Sequence, residues 1–557
     1  MFVRVCRFAA LALALVLPAT APAADSKADG PSLLIRVQSV SDIIKTVEYF
    51  ATFVPKDNPQ VGQLNLGLGV IKDLVKGDSG IEGIDTKNPI GFYASLASDV
   101  QASPVVVLIP VADEKAVLNA LKTRANIEPK EKDGVYEVAS PGLPMTIYFR
   151  FANKYAYITA NDPENISLKT LPKPEAVLGG KSESLVSVTA RLDRLPADMK
   201  KMALGQIEEK LSEGKGQALP NETPAQKAFK DETIDQVTRS LKSLLEDGEE
   251  VSFRLNVDPK GGEVGVEFEM TAKKGSTLAK DIASIRDNKS TVGGAIGSPD
   301  AAFSLNLSLA MASSLKKLMG PVVDEALAMV RQQIPGGGEE KELAEILLKA
   351  LTPTAKSGDL DVGLSLLGPN KDGHLTAVVG VKVVEGKKIE NAVKEIIKKK
   401  GDFAALIDLD AEKLGGDAML HTIKIGALVP EKGQKVFGPS DLHLTFRDDL
   451  MILAFGPEAK NALKKAVNSK PSDVGLTQFQ VSLARFVPAV SESADEAAIA
   501  KKVAAEVFEK GSAAGSDTIT LSLEGGSSLK LKFSAKGKAL VFLGKLNEAQ
   551  MKARGDN

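Results

Sequence analysis

One stretch of the chain occurs twice, and this repeat limits the fold more than any other feature. Residues Ile90–Lys122 align without a gap with Val362–Lys394, 272 positions later. Gly91 falls on Gly363, and the valines at 106, 107 and 111 fall on valines at 378, 379 and 383. Each copy has the hydrophobic pattern of a strand, a loop, a strand and a helix. A period of this length is too long for a solenoid, so the repeat predicts a duplicated domain.

Other segments recur in the same order, although their offset differs. The hairpin predicted at Met145–Ala160 recurs 295 positions later, as two strands ending at Phe455. Arg194-Leu195-Pro196 is echoed by Arg485-Phe486-Val487-Pro488. Insertions in loops account for the drift, since loops vary more than the elements they join. We therefore predict two homologous α+β halves, each an antiparallel sheet with amphipathic helices packed on one face and a largely wet second face.

The predicted organisation has five parts. These are a signal peptide at 1–23, a first α+β repeat at 31–287, a linker at 288–300, a second α+β repeat at 301–546 and a polar tail at 547–557. The linker is predicted because this stretch holds three glycines and a proline.

The N-terminus has the pattern of an export signal. Arg4 and Arg7 precede an apolar run, Phe8–Leu17, and Ala21-Pro22-Ala23 fits a cleavage site. The apolar run is too short for a membrane span, which needs ~20 residues. We expect a periplasmic or extracellular protein that begins near Ala24 and has no transmembrane anchor after cleavage.

Composition excludes several kinds of chemistry. Cys6 is the one cysteine among 557 residues and lies in the signal, so the mature chain has no disulfide and no thiolate for catalysis or metal binding. The formal charge is -2, and about -4 without the signal, which gives no case for nucleic acid. The chain has no tryptophan and few aromatic residues, so stacking platforms for bases are scarce.

The three histidines show no metal or catalytic pattern. His374, His421 and His443 all lie in the second half, and none has the spacing of a zinc helix. His421 is predicted to face an apolar layer, and His443 to face solvent. We expect the three to stay apart and to bind no stoichiometric zinc. No catalytic, cofactor-binding or metal-binding residue, and no cofactor, is therefore predicted.

Weaker signals also have structural explanations. Asp408, Asp410 and Glu412 could form a weak cation site or a solvated loop, but calcium loops need glycine where Lys413 stands. The basic end of the helix at Lys387–Lys400 is typical of a solvated face, and an anionic partner is the alternative. Two glycine-rich segments, Gly67-Leu68-Gly69 and Gly180-Lys181-Ser182, lack the remaining glycines of dinucleotide and phosphate loops.

The order of elements, the exported N-terminus and the segment Val105–Lys122 together resemble a group of uncharacterised exported bacterial proteins. These proteins carry a domain of unknown function, often in long chains rich in glycine and alanine. The resemblance covers Pro31 to Leu546. It implies fold and compartment, and it transfers no functional residue.

Three functions fit the sequence. The first is a non-enzymatic binding or structural protein of the cell envelope, whose partner is an unknown protein or envelope component. The second is a carrier of an apolar ligand held between sheet and helices. The third is a hydrolase without a recognisable signature, since the spatial distance between carboxylates is invisible in sequence.

Overall fold

A computed structural model describes residues 30–53, 82–98, 103–139, 145–179, 184–217, 222–287, 289–333, 339–399, 405–473, 475–508 and 515–555. The chain divides into two compact units. Unit 1 comprises Met1–Gly205 and Ser243–Leu278, and unit 2 comprises Gln206–Lys242 and Ala279–Asn557. Within the described residues each unit contains a large antiparallel sheet with helices, so the fold is mixed α and β.

Unit 1 contains ten strands that form one antiparallel sheet. The spatial order is β4-β5-β6-β7-β3-β2-β1-β8-β9-β10. The strands are β1 Leu33–Val37, β2 Ile90–Ala94, β3 Val105–Pro110, β4 Lys130–Lys132, β5 Val135–Val138, β6 Ile147–Ala152, β7 Tyr155–Ala160, β8 Ser184–Arg191, β9 Gly248–Asp258 and β10 Glu263–Ala272.

Unit 2 also contains ten strands in one antiparallel sheet. Their order, β14-β15-β16-β17-β13-β12-β11-β18-β19-β20, is the order of unit 1 with ten added to each number. The strands are β11 Ala301–Ala310, β12 Asp359–Leu367, β13 Thr376–Lys382, β14 Ile407–Gly415, β15 Ala418–Ile423, β16 Leu442–Phe446, β17 Leu450–Phe455, β18 Thr477–Ser482, β19 Thr518–Glu524 and β20 Leu529–Lys536.

The described residues include fifteen α-helices. Unit 1 holds α1 Val40–Ala51, α2 Glu114–Ala125 and α3 Pro174–Leu178, and three helices have residues in both units: α4 Ala197–Gly216, α5 Pro224–Asp247 and α6 Thr277–Asp287. Unit 2 holds α7 Thr291–Ile296, α8 Ser313–Gln333, α9 Glu339–Ser357, α10 Gly386–Lys399, α11 Glu431–Phe437, α12 Ala459–Val467, α13 Leu483–Val490, α14 Ala494–Val507 and α15 Gly537–Arg554. Short 3-10 helices lie at Pro163–Ile166, Leu192–Arg194 and Gly426–Leu428. Within the described part of the chain, none of these helices is long and apolar enough to cross a bilayer.

Strand registers agree with the gap-free alignment of the repeated block. Gly91 lies opposite Leu108, and the aligned residues Gly363 and Gly380 also lie opposite each other. The hairpin offset of 295 is kept as well, since Phe151 pairs with Ala156 and Phe446 with Met451. The predicted strand, loop, strand and helix are present in both copies.

Helices cover both faces of the central strands, so the prediction of helices on one face is wrong. In unit 1, α2 packs against Phe149 and Ala156, while α3 and the 3-10 helix Pro163–Ile166 pack against Leu108 and Tyr157 on the other face. In unit 2, α10 packs against Phe446, while α7 and α12 pack on the opposite face. The reason is visible in β3, where five consecutive apolar residues follow one another, as in strands buried on both sides.

The segment predicted as a linker contains a buried helix of unit 2. Helix α7 is capped by Ser290, whose Oγ accepts a hydrogen bond from the Gly293 N–H at 2.7 Å. The buried carboxylate of Asp361 accepts a second bond from the Thr291 N–H, also at 2.7 Å. Val292 and Ile296 join the core of the unit. Residues 290–296 therefore pack into unit 2, where the sequence predicted a link.

Two other boundaries differ from those that the sequence predicts, namely a helix that begins with a capping box at Thr233-Ile234-Asp235-Gln236 and a polar tail at 547–557. Helix α5 begins at Pro224, because Thr223 and Gln226 form the capping box: the Gln226 N–H donates to Thr223 Oγ1 at 3.2 Å, and Gln226 accepts in return at 3.1 Å. Thr233, the predicted cap, lies inside the helix and bonds the Phe229 carbonyl. The predicted polar tail continues helix α15 as far as Arg554.

Candidate functional site

A row of apolar side chains crosses eight strands on one face of each sheet. We call it the central row. In unit 2 its members are Phe533, Leu521, Phe479, Leu305, Leu364, Val379, Leu453 and Leu444, each opposite the next. In unit 1 they are Phe268, Phe253, Val188, Ile35, Phe92, Val107, Ile158 and Phe149. The two rows cross the corresponding strands of their sheets in the same order.

In unit 2 helices cover the rows on either side of the central row. On one side Val481, Ile519 and Phe303 pack under α13, α14 and α15. On the other side Val381 and Met451 pack under α9 and α10. Phe479 and Leu444 of the central row themselves pack against these two groups of helices. The stretch of the row between them is accessible, and we call this stretch the groove of unit 2.

Several side chains of the central rows remain accessible. In unit 2 the exposed fractions are 40% for Leu305, 37% for Val379 and 41% for Phe533. In unit 1 Phe253 and Phe268 expose 42% and 40%. Large apolar side chains that line up along one surface are a mark of binding sites, whereas singly scattered ones are ordinary.

Val107 and Val379 stand in continuous apolar runs, which predict that both are core, and the position of Val379 contradicts this prediction. Val379 is exposed and the aligned Val107 is half-buried, while their neighbours Val106 and Val378 are 0% and 2% exposed. In unit 2, α10 packs beside Val381 and Met451, which lie two residues along their strands from the central row, and Val379 itself stays accessible. The buried valines face the opposite side, where α3, α7 and α12 pack.

The opposite face of the outer strands is polar. In unit 1, Arg254 of β9 pairs there with Glu267 of β10 at 2.7 Å and also with Glu269. In unit 2, Gln478 of β18 is exposed on the corresponding face, next to Phe479 of the central row. These strands thus alternate polar and apolar positions, and the apolar set is confined to the face of the central row.

One end of the groove of unit 2 leads to a histidine. His421 of β15 lies opposite Leu444 and is buried. Its Nδ1 accepts a hydrogen bond from the Asp410 backbone N–H at 3.2 Å, so the neutral ring carries its proton on Nε2. That nitrogen lies 3.1 Å from Oε1 of Glu390, a buried carboxylate of α10. The sequence predicts that His421 faces an apolar layer. The ring is buried, with its centroid 6.1 Å from that of Phe446, but its hydrogen-bond partner is a carboxylate, so only the burial agrees with the prediction.

Two lysines complete this cluster. Lys394 Nζ lies 2.8 Å from Glu390 Oε1 and 2.6 Å from Asp410 Oδ1, and Lys387 Nζ lies 2.9 Å from Glu390 Oε2. Burial raises the pKa of Glu390, but hydrogen bonds from Lys394 and Lys387 outweigh it and leave this pKa below its usual value. Burial also keeps the pKa of His421 below its usual value, against the opposing effect of Glu390.

The donor atoms of Glu390, Asp410 and His421 lie within 4.8 Å of one another, a spacing that could suit a metal ion. The lysines argue for an ion-pair network instead, since the Lys394 ammonium bridges the same two carboxylates. The neighbouring carboxylates Asp408 and Glu412 pair with other lysines, Lys424 at 2.9 Å and Lys464 at 2.7 Å. The predicted solvated loop at these three acidic residues is strand β14, and each carboxylate has its own cation.

The other two histidines lie elsewhere. His443 is buried, which contradicts its predicted exposure, because helix α12 packs on its face of the sheet. It lies opposite Thr422 and shares a 3.0 Å hydrogen bond with it, so it occupies the face opposite His421. His374 Nδ1 lies 3.3 Å from the Lys435 carbonyl oxygen. Each ring thus has different partners.

The basic helix end of α10 is largely paired. Lys387 and Lys394 bind Glu390, Lys388 binds Glu385 at 2.5 Å, and Lys399 binds Glu342 at 2.7 Å. These pairs favour the predicted structural interpretation over an anionic partner. The two glycine-rich segments, 67–69 and 180–182, lie outside the described residues.

Comparison of this chain with protein-family models, with curated proteins and with solved structures finds no match. Its function must therefore be inferred from its own residues.

Proposed function

We propose that this chain is an exported, non-enzymatic binding protein that holds an apolar ligand on the central row of its sheet. The observation that carries the proposal is the uninterrupted apolar row across eight strands, with exposed side chains at its centre. Leaving such side chains in water costs roughly 25 cal/mol per Å² of apolar surface, and a bound apolar ligand recovers this free energy.

The titratable cluster of the described chain supports a binding role more than an enzymatic one. The buried Glu390 is satisfied by His421, Lys387 and Lys394. A catalytic acid or base must reach the substrate, whereas these groups already form hydrogen bonds and ion pairs with one another. The cluster is therefore best explained as a network of ion pairs and hydrogen bonds that joins α10 to the β14–β15 hairpin.

We also propose that the two units are copies of one ancestral domain. The support is threefold: the common strand order, the equal registers in the repeated block, and the two matching central rows. Chance similarity of amphipathic segments does not require strands that lie far apart in the chain to choose the same partners. Duplication thus gives each unit its own apolar row.

Export follows from the N-terminal pattern, and we propose a periplasmic or extracellular location. The chain secreted by its own cells should begin near Ala24 and contain no thiol, because Cys6 leaves with the signal. Intact-mass measurement with a thiol count checks both statements. Material that retains residues 1–23 contradicts the proposed location.

Binding can be tested with an environment-sensitive apolar dye. Val379→Glu places a charge in the central row, whereas Gln478→Glu places the same charge on the polar face of the same sheet. We expect dye binding to fall at least severalfold in the first variant and to stay unchanged in the second. Equal binding by both variants would falsify the proposed site. Native mass spectrometry of protein from its own cell envelope then identifies what it carries.

A further inference from the structure

We infer that protonation of His421 rearranges a bulge in the edge strand β14, so that this strand is fixed at neutral pH and loosened in acid. The inference concerns the cluster around His421 and does not depend on the proposed apolar ligand. It gives unit 2 a local response to acid that is separate from a loss of overall stability.

Strand β14 contains a bulge directly opposite His421. The register with β15 shifts between Asp408 and Glu412, and three residues of β14 there oppose one residue of β15, which is His421. The extra residues of a bulge lose their places in the ladder of hydrogen bonds. Among the described residues β14 pairs with β15 alone, so it lies at the edge of the sheet. The bulge can therefore rearrange without disturbing a second strand.

The imidazole of His421 holds the middle residue of this bulge. Asp410 has a φ of 50°, a left-handed conformation that is unfavourable for residues with a Cβ. Its backbone N–H donates a hydrogen bond to Nδ1 of the ring at 3.2 Å. Nδ1 can accept this bond only while it carries no proton. The backbone conformation of Asp410 thus depends on the protonation state of His421.

Protonation turns Nδ1 into a donor, and two N–H groups then face each other across this contact. The ring keeps its position, because Nε2 carries a proton in both states and lies 3.1 Å from Oε1 of Glu390. The change therefore falls on the backbone of Asp410, an exposed residue whose N–H can turn to water. Loss of the bond lets Asp410 leave its left-handed conformation.

The cluster also supplies a new acceptor for the proton on Nδ1. Oδ1 of Asp410 lies 3.9 Å from Nδ1, which is too far for a hydrogen bond in the neutral state. This oxygen binds Lys394 Nζ at 2.6 Å, and Lys394 keeps Glu390 at 2.8 Å if the Asp410 carboxylate moves. A small movement of Asp410 thus exchanges its backbone hydrogen bond for an ion pair with the imidazolium.

The charged groups that face His421 come from two elements. They are Glu390, Lys387 and Lys394 of α10 and Asp410 of β14. The neighbouring residues of β16, Leu444 and Phe446, are apolar, and Asp408 and Glu412 lie opposite residues of the other face, Thr422 and Leu420. Burial raises the pKa of Glu390, but hydrogen bonds from the two lysines hold it below its usual value. Burial lowers the pKa of His421 against the effect of Glu390, so the ring takes up its proton below pH 6.5.

Nitrogen-15 NMR of the full chain, labelled at histidine, follows the ring directly, since the chain has three histidines. His374→Gln and His443→Gln identify the His421 signal by elimination. We expect the tautomer with its proton on Nε2 near pH 7.5 and an imidazolium as the pH falls below about 6.5. A ring that stays neutral down to about pH 4.5 overturns the inference, since β14 then has no proton to respond to.

Amide hydrogen exchange of the full chain then measures the bulge. Residues 407–413 are compared near pH 7.5 and at the pH at which NMR shows the ring half protonated, after correction for the intrinsic pH dependence of exchange. We expect their protection to fall at least about fivefold, while that of the β12–β13 hairpin, residues 359–382, changes less than about twofold. Equal losses in both segments overturn the inference, because they report the stability of the whole unit.

Two variants separate His421 from the other buried histidine. His421→Gln offers the Asp410 N–H an acceptor that does not titrate, so the loss of protection in acid should disappear. His443→Gln is the matched control, because this ring bonds Thr422 at 3.0 Å on the opposite face, and here the loss should persist. A loss that persists in His421→Gln overturns the inference. If this variant does not fold, exchange in the unmodified chain still decides, since loosening that does not follow the His421 titration also overturns it.

Discussion

The guanidinium of Arg194 donates a hydrogen bond from Nη1 to the Pro31 carbonyl oxygen at 3.1 Å. Arg485 makes the matching contact in unit 2, where its Nη1 donates to the carbonyl oxygen of Asp300. Both arginines follow the eighth strand of their sheet and reach the residue that precedes the first strand by one or two positions. The similarity of the two arginine motifs in the sequence thus has a physical basis. Each arginine links the ends of two neighbouring strands, β1 and β8 in unit 1 and β11 and β18 in unit 2.

Adding a methyl group at the aligned glycines should destabilise both units. A Cβ at Gly91 would lie 2.1 Å from Leu178 Cδ2, and a Cβ at Gly363 would lie 2.6 Å from Ile296 Cδ1. We expect Gly91→Ala and Gly363→Ala to lower the free energy of unfolding by about 1–3 kcal/mol through overpacking. Urea denaturation measures this. Gly205→Ala is the control, because nothing lies within 4 Å and alanine should add about 0.5–1 kcal/mol in a helix. No loss at either glycine contradicts the close packing described.

Truncation of two adjacent valines should have unequal effects. Val378 is 2% exposed within the core of unit 2, whereas Val379 lies in the accessible central row. We expect Val378→Ala to cost about 1–3 kcal/mol and Val379→Ala less than about 0.5 kcal/mol. Thermal or urea denaturation of the two variants compares them directly. Equal costs would show that the central row is not accessible at this point.

Neutralising the buried carboxylate should weaken the fold. Glu390→Gln removes the negative charge that Lys387, Lys394 and His421 share. Breaking a buried ion pair in this way typically costs 3–5 kcal/mol, and we expect about 3 kcal/mol because both lysines keep a second carboxylate nearby. Glu431→Gln is the control, since this carboxylate is 84% exposed and its pair with Lys435 contributes little. A cost below about 1 kcal/mol for Glu390→Gln would argue that the cluster is not structural.

Acidification should reduce stability, starting near pH 6.5. Burial holds the pKa of His421 and of His443 below the ordinary 6.5, so the unfolded chain takes up these protons first. The resulting stabilisation is complete above pH 6.5 and is lost as pH falls through the folded-state values, with a slope of up to about 1.4 kcal/mol per pH unit for each proton. Glu390 extends the loss to lower pH, because its folded pKa lies below 4.5.

Chemical denaturation at a series of pH values measures this slope. We expect His421→Gln to reduce the slope between pH 6.5 and 5. His443→Gln should reduce it as well, because burial also lowers the pKa of this ring. An unchanged slope in His421→Gln assigns the acid sensitivity to other groups.

Local patterns predicted most strands and hairpins, because alternation and turn residues act over a few positions. The turn between β6 and β7 is an example: Asn153 and Lys154 both adopt positive φ, as a tight hairpin requires. The capping residue of α5 was missed although the signal was present, since Pro224 at the first helical position marks Thr223 as the cap.

The central rows could not be predicted, because the sequence does not state which strands are neighbours. Leu305 lies beside Phe479 through pairing of β11 with β18, although 173 residues separate them in the chain. Burial of His443 likewise depends on a contact that the sequence does not state. Its neighbours Leu442 and Leu444 suggested an outward histidine, but α12, which follows β17, packs onto that face.

The equal registers in the two sheets also affect how the chain finds its native pairing. Strand β2 pairs with β3 in the same register in which β12 pairs with β13. If β12 paired with β3 instead, the same backbone groups would therefore be aligned for hydrogen bonding. Strand exchange between similar halves is a typical misfolding route of repeated chains. The side chains oppose it, because Leu108 placed beside Gly363 would occupy the space that Val292 fills against Gly380. The difference between Leu108 and Gly380 at this position thus penalises the pairing of β12 with β3.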